Sequence, residues 1–333
     1  MAGSPLYAAV LDAVASDVVD GGPCGDLLAP FTDAPFSDAV LLRLLAGMHL
    51  LVLDGSEPGL AAHYPSVGGV PGEGVGLVFL EAVARHRDRL ASSLLKGVQT
   101  NEAGRSVALL GGFLELAQAG LPLRILEVGS SAGLNLRFDR YRCEQGSEAF
   151  GPAGSRVRFV DPWVGPCPAL DATIDVASRR GCDLDPIDAT TEHGRLRLRS
   201  LIWPDQTHRR ARLDAAIEVA DELPVTIDRA DAVDWLGARL AGTVPGQLTV
   251  VVHSIVLQYL PPSARTAFLA VLDEAGRRAD RDAPLAWLRM EPGGDRAETR
   301  LTVWPTGTTD LVATSGFHGP PVAWMDDRHR AAP

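Results

Sequence analysis

The sequence predicts an α/β protein. A doubly wound, mostly parallel sheet is expected over 121–333, with a C-terminal antiparallel hairpin and a helical N-terminal cap over 1–120. Three observations predict it. After residue 121, short β-rich runs alternate with helical ones, the pattern of strands joined by crossover helices. The clearest run, LTVVVH at 248–253, is continuously apolar, as a strand buried on both faces should be. The preceding 120 residues show apolar positions at helical spacing and few strand-like runs.

Taken in order, Leu6, Ala9, Val10, Ala13 and Val14 recur at helical spacing. The stretch 39–50 is apolar nearly all round and predicts a buried helix. Gly and Pro make 64–72 a loop. Helices are expected near 75–94 and 105–119. The first strand is RILEV at 124–128, and 225–227 and 285–289 are weaker strands. Helices at 209–219, 232–240 and 263–279 lie between, the last with Ser263 as its expected cap. The runs 301–304 and 310–314 flank a Gly-containing turn and read as the hairpin.

Composition narrows the function classes. At 333 residues the chain is long enough to bury a large core without staples. Its formal charge of −11 argues against general affinity for nucleic acid or anionic membranes. Lys96 is the one lysine among 31 basic residues, so lysine-nucleophile chemistry would have to rest there. The four cysteines form no C-x-x-C pair, and no metal-ligand spacing occurs. No secretory signal and no 18-residue apolar run is seen, which makes a cytoplasmic protein the expectation.

The most informative segment is ILEVGSSAGLN, residues 125–135. A strand runs through a small-residue loop into a helix, and two chemistries share that shape. As E-x-G-x-x-x-G, Gly129 permits a tight turn and the small residues 130–133 let a ligand approach the backbone. The helix N-terminus adds free N–H donors, and Glu127 can accept from a ligand amine. An acid two residues before the first Gly points to S-adenosylmethionine, and Ser131 breaks the dinucleotide pattern G-x-G-x-x-G. As G-x-S-x-G, the same loop is a nucleophile elbow with Ser131 as the nucleophile, His318 as the late histidine and Asp295 or Asp310 as its carboxylate. Against the elbow stand the helical first 120 residues and the lack of an HGGG-type oxyanion segment upstream. A bare strand-to-helix turn is the structural alternative.

The segment LEVGSSAGLNLRFDRYRC (126–143) resembles the core of the bacterial family known as domain of unknown function 2332 (DUF2332). So do YPSVGG at 64, VQTNEAGR at 98, RGCDLDP at 180, WPDQ at 203, VHSIVLQYL at 252 and LTVWP at 301. The resemblance covers nearly the whole chain. It implies a Rossmann-like core similar to class I S-adenosylmethionine-dependent methyltransferases. On that pattern Glu127, Gly129, Ser130, Ser131, Gly133 and Asn135 would bind the cofactor. Asp183, with Asp185 as the second choice, would end the second strand and take the ribose hydroxyls, after an insertion at about 144–175. Asp231 would contact the adenine, or cap the helix at 232.

His253 ends the clearest strand, where a general base would sit; a hydrogen-bonded structural role is the alternative. Gln99, Asn101, Glu102 and Arg105 read as a lid with catalytic potential in Asn101 and Glu102, or as helix caps. Arg137 and Tyr141 share a helix face at i, i+4; an arginine there reads as a surface ion pair, with a hold on a substrate carboxylate as the alternative. The arginines at 195, 197, 199, 209, 210 and 212 read as a solvated face. The function expected is methylation of a small-molecule acceptor at O or N. The alternatives are an α/β serine hydrolase using Ser131 and a non-catalytic cofactor-binding protein.

Overall fold

Ser4 starts the first helix: its hydroxyl accepts the Tyr7 N–H at 3.0 Å, and Pro5 fills the first turn. The structure, a computed structural model, describes residues 3–31 and 39–325. Helices α1 (Pro5–Val19), α2 (Pro23–Leu28), α3 (Val40–Leu53), α4 (Pro58–Ala61), α5 (Val75–Arg85) and α6 (Arg87–Leu94) follow in turn. The single helix expected over 75–94 is broken at His86, whose backbone leaves the helical region (φ −112°, ψ 24°). At the break, Arg85 and His86 both reach the buried Glu57 carboxylate, at 3.0 Å each.

Next come α7 (Arg105–Ala117) and β1 (Leu123–Val128). The insertion forms β2 (Arg142–Gln145), β3 (Glu148–Phe150) and β4 (Arg158–Val160), a small sheet of its own in the order β3-β2-β4. Then follow β5 (Val176–Asp183), α8 (Glu192–Ser200), α9 (Thr207–Glu222), β6 (Thr226–Arg229), α10 (Ala232–Arg239), β7 (Leu248–Ser254) and α11 (Pro262–Arg278). Pro261, not Ser263, precedes the first turn of α11; Ser263 sits inside it and makes no cap. The chain ends in β8 (Leu285–Pro292), β9 (Ala297–Trp304), β10 (Thr308–Gly316) and β11 (Gly319–Trp324).

Two units divide these elements. Unit one comprises Met1–Thr100 with Asp188–Asp214, and unit two comprises Asn101–Ile187 with Ala215–Pro333. Unit one buries Leu6, Tyr7, Val10, Leu44, Met48, Leu60, Tyr64 and Phe79 in a helical core. Residues 101–120, assigned to the N-terminal region by the sequence reading, belong to unit two. There α7 lies on the sheet, and Gly111 and Gly112 allow the approach. A Cβ on Gly111 would stand 2.2 Å from the Trp324 ring, and one on Gly112 would stand 2.5 Å from Leu288.

Unit two carries, among the described residues, an eight-stranded sheet in the order β11-β10-β9-β8-β7-β1-β5-β6. Strands β6, β5, β1, β7 and β8 are parallel. From β8 onward every neighbour is antiparallel, so the expected hairpin is part of an extension of three strands, β9 to β11. All seven residues of β7 are buried. Successive strand residues face opposite sides. Thus Trp287 packs with Phe268, Leu272 and Trp235 from α10 and α11, while Leu288 lies under α7. Helices cover both faces. The chain runs from β1 outward to β5 and β6, then returns to β7 on the other side of β1. The order reverses at β1 and β7, and in open α/β sheets such a point leaves a crevice at the carboxyl ends of the strands.

Candidate functional site

The loop leaving β1 is built by residues that tolerate a left-handed backbone. Gly129, Ser131 and Gly133 have φ of +67°, +54° and +67°. A Cβ on Gly129 would also stand 2.6 Å from Val256 Cγ2, so only glycine fits there. Ser130 faces inward: its N–H donates to Cys182 O (3.0 Å) and its hydroxyl to Glu127 O (2.8 Å). It rests on Gly181, whose Cβ would meet the Ser130 oxygen at 2.0 Å. Ser130 is therefore a loop anchor that turns away from any ligand.

Other residues hold the loop's remaining polar groups. Asp183 ends β5, next to β1, and accepts the Ser131 N–H at 2.8 Å and the Asp185 N–H at 2.9 Å. Arg137 donates to Gly133 O at 2.7 Å and Ala132 O at 3.2 Å. Tyr141 donates to Leu134 O at 2.6 Å, and Asn101 accepts the Leu134 N–H at 2.9 Å. Arg137 and Tyr141 are buried, so the surface ion pair expected of the arginine is corrected. The expected helix after the loop is also different. Residues Asn135–Arg140 form a short 3-10 helix that kinks at Arg137, where the guanidinium turns back to the loop carbonyls. This short turn stands where the sequence predicted a helix N-terminus.

Two side chains in this segment stand out. Glu127 is 2% exposed, and its Oε2 has no hydrogen-bond partner. Burial pushes its carboxyl up to about 8, even though Ser130, Arg137 and Arg105 act in the opposite direction. Asn135 is 5% exposed, and its Oδ1 also lacks a partner. Buried polar atoms are nearly always paired, and both of these are acceptors. The segment thus offers acceptors to a group rich in N–H or O–H. Such a group would hold Glu127 in its charged form.

The other expected site residues are placed as follows. Asp185 pairs with Arg229 at 2.8 Å. Asp231 is exposed and caps α10, its Oδ1 accepting the Val233 and Asp234 N–H groups. Glu102 is buried and accepts the Gly104 N–H at 3.3 Å. Arg105 is buried and donates to Phe317 O and Ser254 O. Gln99 lies in unit one, bonded to Arg197. The arginine face is paired rather than merely solvated: Arg199 and Arg210 share Asp214, and Arg195 donates to Ala189 O.

His253 departs from the general-base expectation. It is 0% exposed. Trp287 Nε1 can only donate, and it stands 2.9 Å from His253 Nε2, so Nε2 accepts. The proton then lies on Nδ1, which donates to Glu291 Oε1 at 2.8 Å. No nitrogen is left for a substrate. Burial alone would raise the Glu291 carboxyl. Donation from His253 and from the Val256 and Leu257 amides holds it below its usual range. Trp287 and Glu291 escaped the sequence analysis, and Arg137 was expected there in a surface role. The alternation of β8 was the available signal for Trp287 and Glu291; nothing local marks Arg137 as inward.

Ile255 follows β7 with φ +57°, a strained conformation for a β-branched residue. The loops after β1 and β7 thus each carry a non-glycine residue in the left-handed region.

Acceptors buried at the reversal point of a mixed α/β sheet define the class: an open α/β protein with its candidate site at the carboxyl ends of its parallel strands. The chain belongs to the family described as an uncharacterized protein conserved in bacteria (DUF2332), whose model matches residues 1–324. No curated protein and no solved structure gives a significant match. Among the described residues, no helix is long and apolar enough to cross a membrane.

Proposed function

We propose that the protein is an S-adenosylmethionine-dependent methyltransferase acting on a small molecule at oxygen or nitrogen. The observation that carries this reading is the buried, unpartnered Oε2 of Glu127 at the end of β1, together with the unpartnered Asn135 Oδ1. An ammonium group has three donors and no acceptor, which suits both atoms. The amino-acid end of this cofactor carries one. The parallel order β6-β5-β1-β7-β8 supports a Rossmann-like arrangement with its ligand beside β1. Asp183 fits less fully. Ribose hydroxyls would share carboxylate oxygens that already accept the Ser131 and Asp185 amides. Asp231 would turn Oδ2 to the adenine while Oδ1 keeps its capping role.

When bound, the cofactor supplies a methyl group on a positively charged sulfonium, already activated for transfer. The chain's work is then chiefly positioning. Glu127 ionises to hold the ammonium. Asn101, Arg137 and Tyr141 keep the loop in one shape. The acceptor's proton would leave to solvent as its new bond forms, because His253 has no free nitrogen to take it.

Calorimetric titration with S-adenosylmethionine and S-adenosylhomocysteine tests the reading. A micromolar dissociation constant corresponds to about −8.2 kcal/mol and is readily measured. Saturable binding, weakened by Glu127→Gln and Gly129→Val, is expected. Absence of binding to folded protein ends the proposal.

A second reading draws on Ser131. Its φ of +54° is the sort of strained backbone that a nucleophile elbow carries. An activity-based serine probe should then label the protein and leave Ser131→Ala unlabelled. Under the methyltransferase reading it labels neither.

A further inference from the structure

Unit one contains an interior polar cluster that the proposed chemistry does not use. Tyr7 on α1 and Tyr64 ahead of the Pro65 turn are both buried, and neither phenolic oxygen has a hydrogen-bond partner. Their rings meet edge to face, with centroids 6.4 Å apart. Trp203 packs on Tyr7 at 5.9 Å, and His49 packs on Tyr64 at 5.6 Å. Asp205 joins them. Its Oδ2 accepts the Ser4 hydroxyl at 2.7 Å, while its buried Oδ1 is unpartnered. Three orphaned oxygens in one aromatic surround are unusual, since buried polar atoms are nearly always paired.

The electrostatics favour one sign of guest. Burial raises both phenols far above their usual range, and the Asp205 carboxylate raises them further. His49 adds no positive charge. Its Nδ1 donates to Ser200 O and its Nε2 accepts from the Ser66 hydroxyl, and burial lowers it to about 3. Arg210, which acts on His49, is itself paired with Asp214 at 2.9 Å. Buried oxygens without partners, one of them a carboxylate's, and the rings of Tyr7, Tyr64 and Trp203 form the chemistry that receives a compact cation with N–H donors.

We propose that unit one holds a small primary ammonium ion among Tyr7, Tyr64, Asp205 and Trp203, donating to the two phenolic oxygens and to Asp205 Oδ1. The site is made from unit one alone, so it stands or falls independently of the loop at Gly129.

Thermal melting of the full chain tests this, with methylammonium chloride compared with sodium chloride at equal ionic strength. A ligand that binds only the folded state at ten times its dissociation constant should raise Tm by about 2–6 °C. Methylammonium is expected to give that selective rise, and sodium is not. Asp205→Asn and the double variant Tyr7→Phe, Tyr64→Phe should each abolish it. Without amine, the phenylalanine variant should melt no lower than the wild type, because it removes orphaned hydroxyls while keeping both rings. Equal shifts with both salts, or a selective rise that survives in either variant, overturns the proposal. Should a variant fail to fold, a crystal structure of the wild type grown with methylammonium decides: an ordered water bridging the three oxygens, with no amine, is equally fatal.

Discussion

At the scale of single residues, Glu127 and His253 show how burial separates a ligand-binding group from a structural one. Both are enclosed, but His253 spends both nitrogens inside the protein and Glu127 leaves an oxygen unmet. Glu127 should therefore make stability depend on pH. Its folded carboxyl is raised to about 8 from an ordinary value of 4.5. Between those values the unfolded chain releases the proton and the folded chain keeps it, so stability falls as pH rises. Melting curves from pH 5 to 8 should show that decline in the wild type and a flatter profile in Glu127→Gln. Equal slopes would mean that Glu127 is solvated or paired. For His253, replacement by Ala orphans the Trp287 N–H and removes one of the three donors to the Glu291 carboxylate, leaving the Val256 and Leu257 amides. A loss of about 3 kcal/mol is expected in urea unfolding, with ligand affinity little changed in the folded fraction.

At the scale of elements, the loop Gly129–Gly133 is shaped by its neighbours as much as by its own residues. Gly129 is needed twice over, by its φ of +67° and by Val256. A double-mutant cycle can separate the two demands. Gly129→Ala should be strongly destabilising. Val256→Ala should recover the steric part and leave about 1–2 kcal/mol for the left-handed backbone. Full additivity of the two changes would show that the glycine answers to φ alone. This loop also shows what a sequence discloses. The acid ending β5 was placed only by the family resemblance, whereas strand β1 and its small-residue turn were legible, because local spacing encodes them. The 3-10 helix was not, because it depends on Arg137 reaching back to carbonyls at 132 and 133. Strand β11 hid behind Pro320 and Pro321, which a sheet accepts at its edge, where β11 lies. The buried role of His253 rests on Trp287, a partner 34 residues away on the next strand.

At the scale of the whole molecule, the chain builds unit one from two separate stretches, Met1–Thr100 and Asp188–Asp214. Composition and periodicity carry no mark of that return, so α8 and the inward-facing Asp205 could not be anticipated from either. Ligand binding can be read at this scale as well, because a ligand that recognises only the folded state adds its binding energy to stability. At 100 times its dissociation constant it contributes about 2.7 kcal/mol. For a domain of about 150–250 residues that is a rise in Tm of about 5–11 °C. S-adenosylmethionine should produce such a rise, and the rise should depend on pH through Glu127. Below about pH 8 the carboxyl is protonated in the free protein and must release that proton to face an ammonium. Affinity should therefore increase up to tenfold per pH unit as pH climbs toward 8, and then level off. Calorimetry at pH 7 in buffers of different ionisation enthalpy should record about one proton released per ligand bound. Binding without proton release would place the ammonium elsewhere and detach Glu127 from the cofactor. Binding with release in the wild type but none in Glu127→Gln would assign that proton to Glu127.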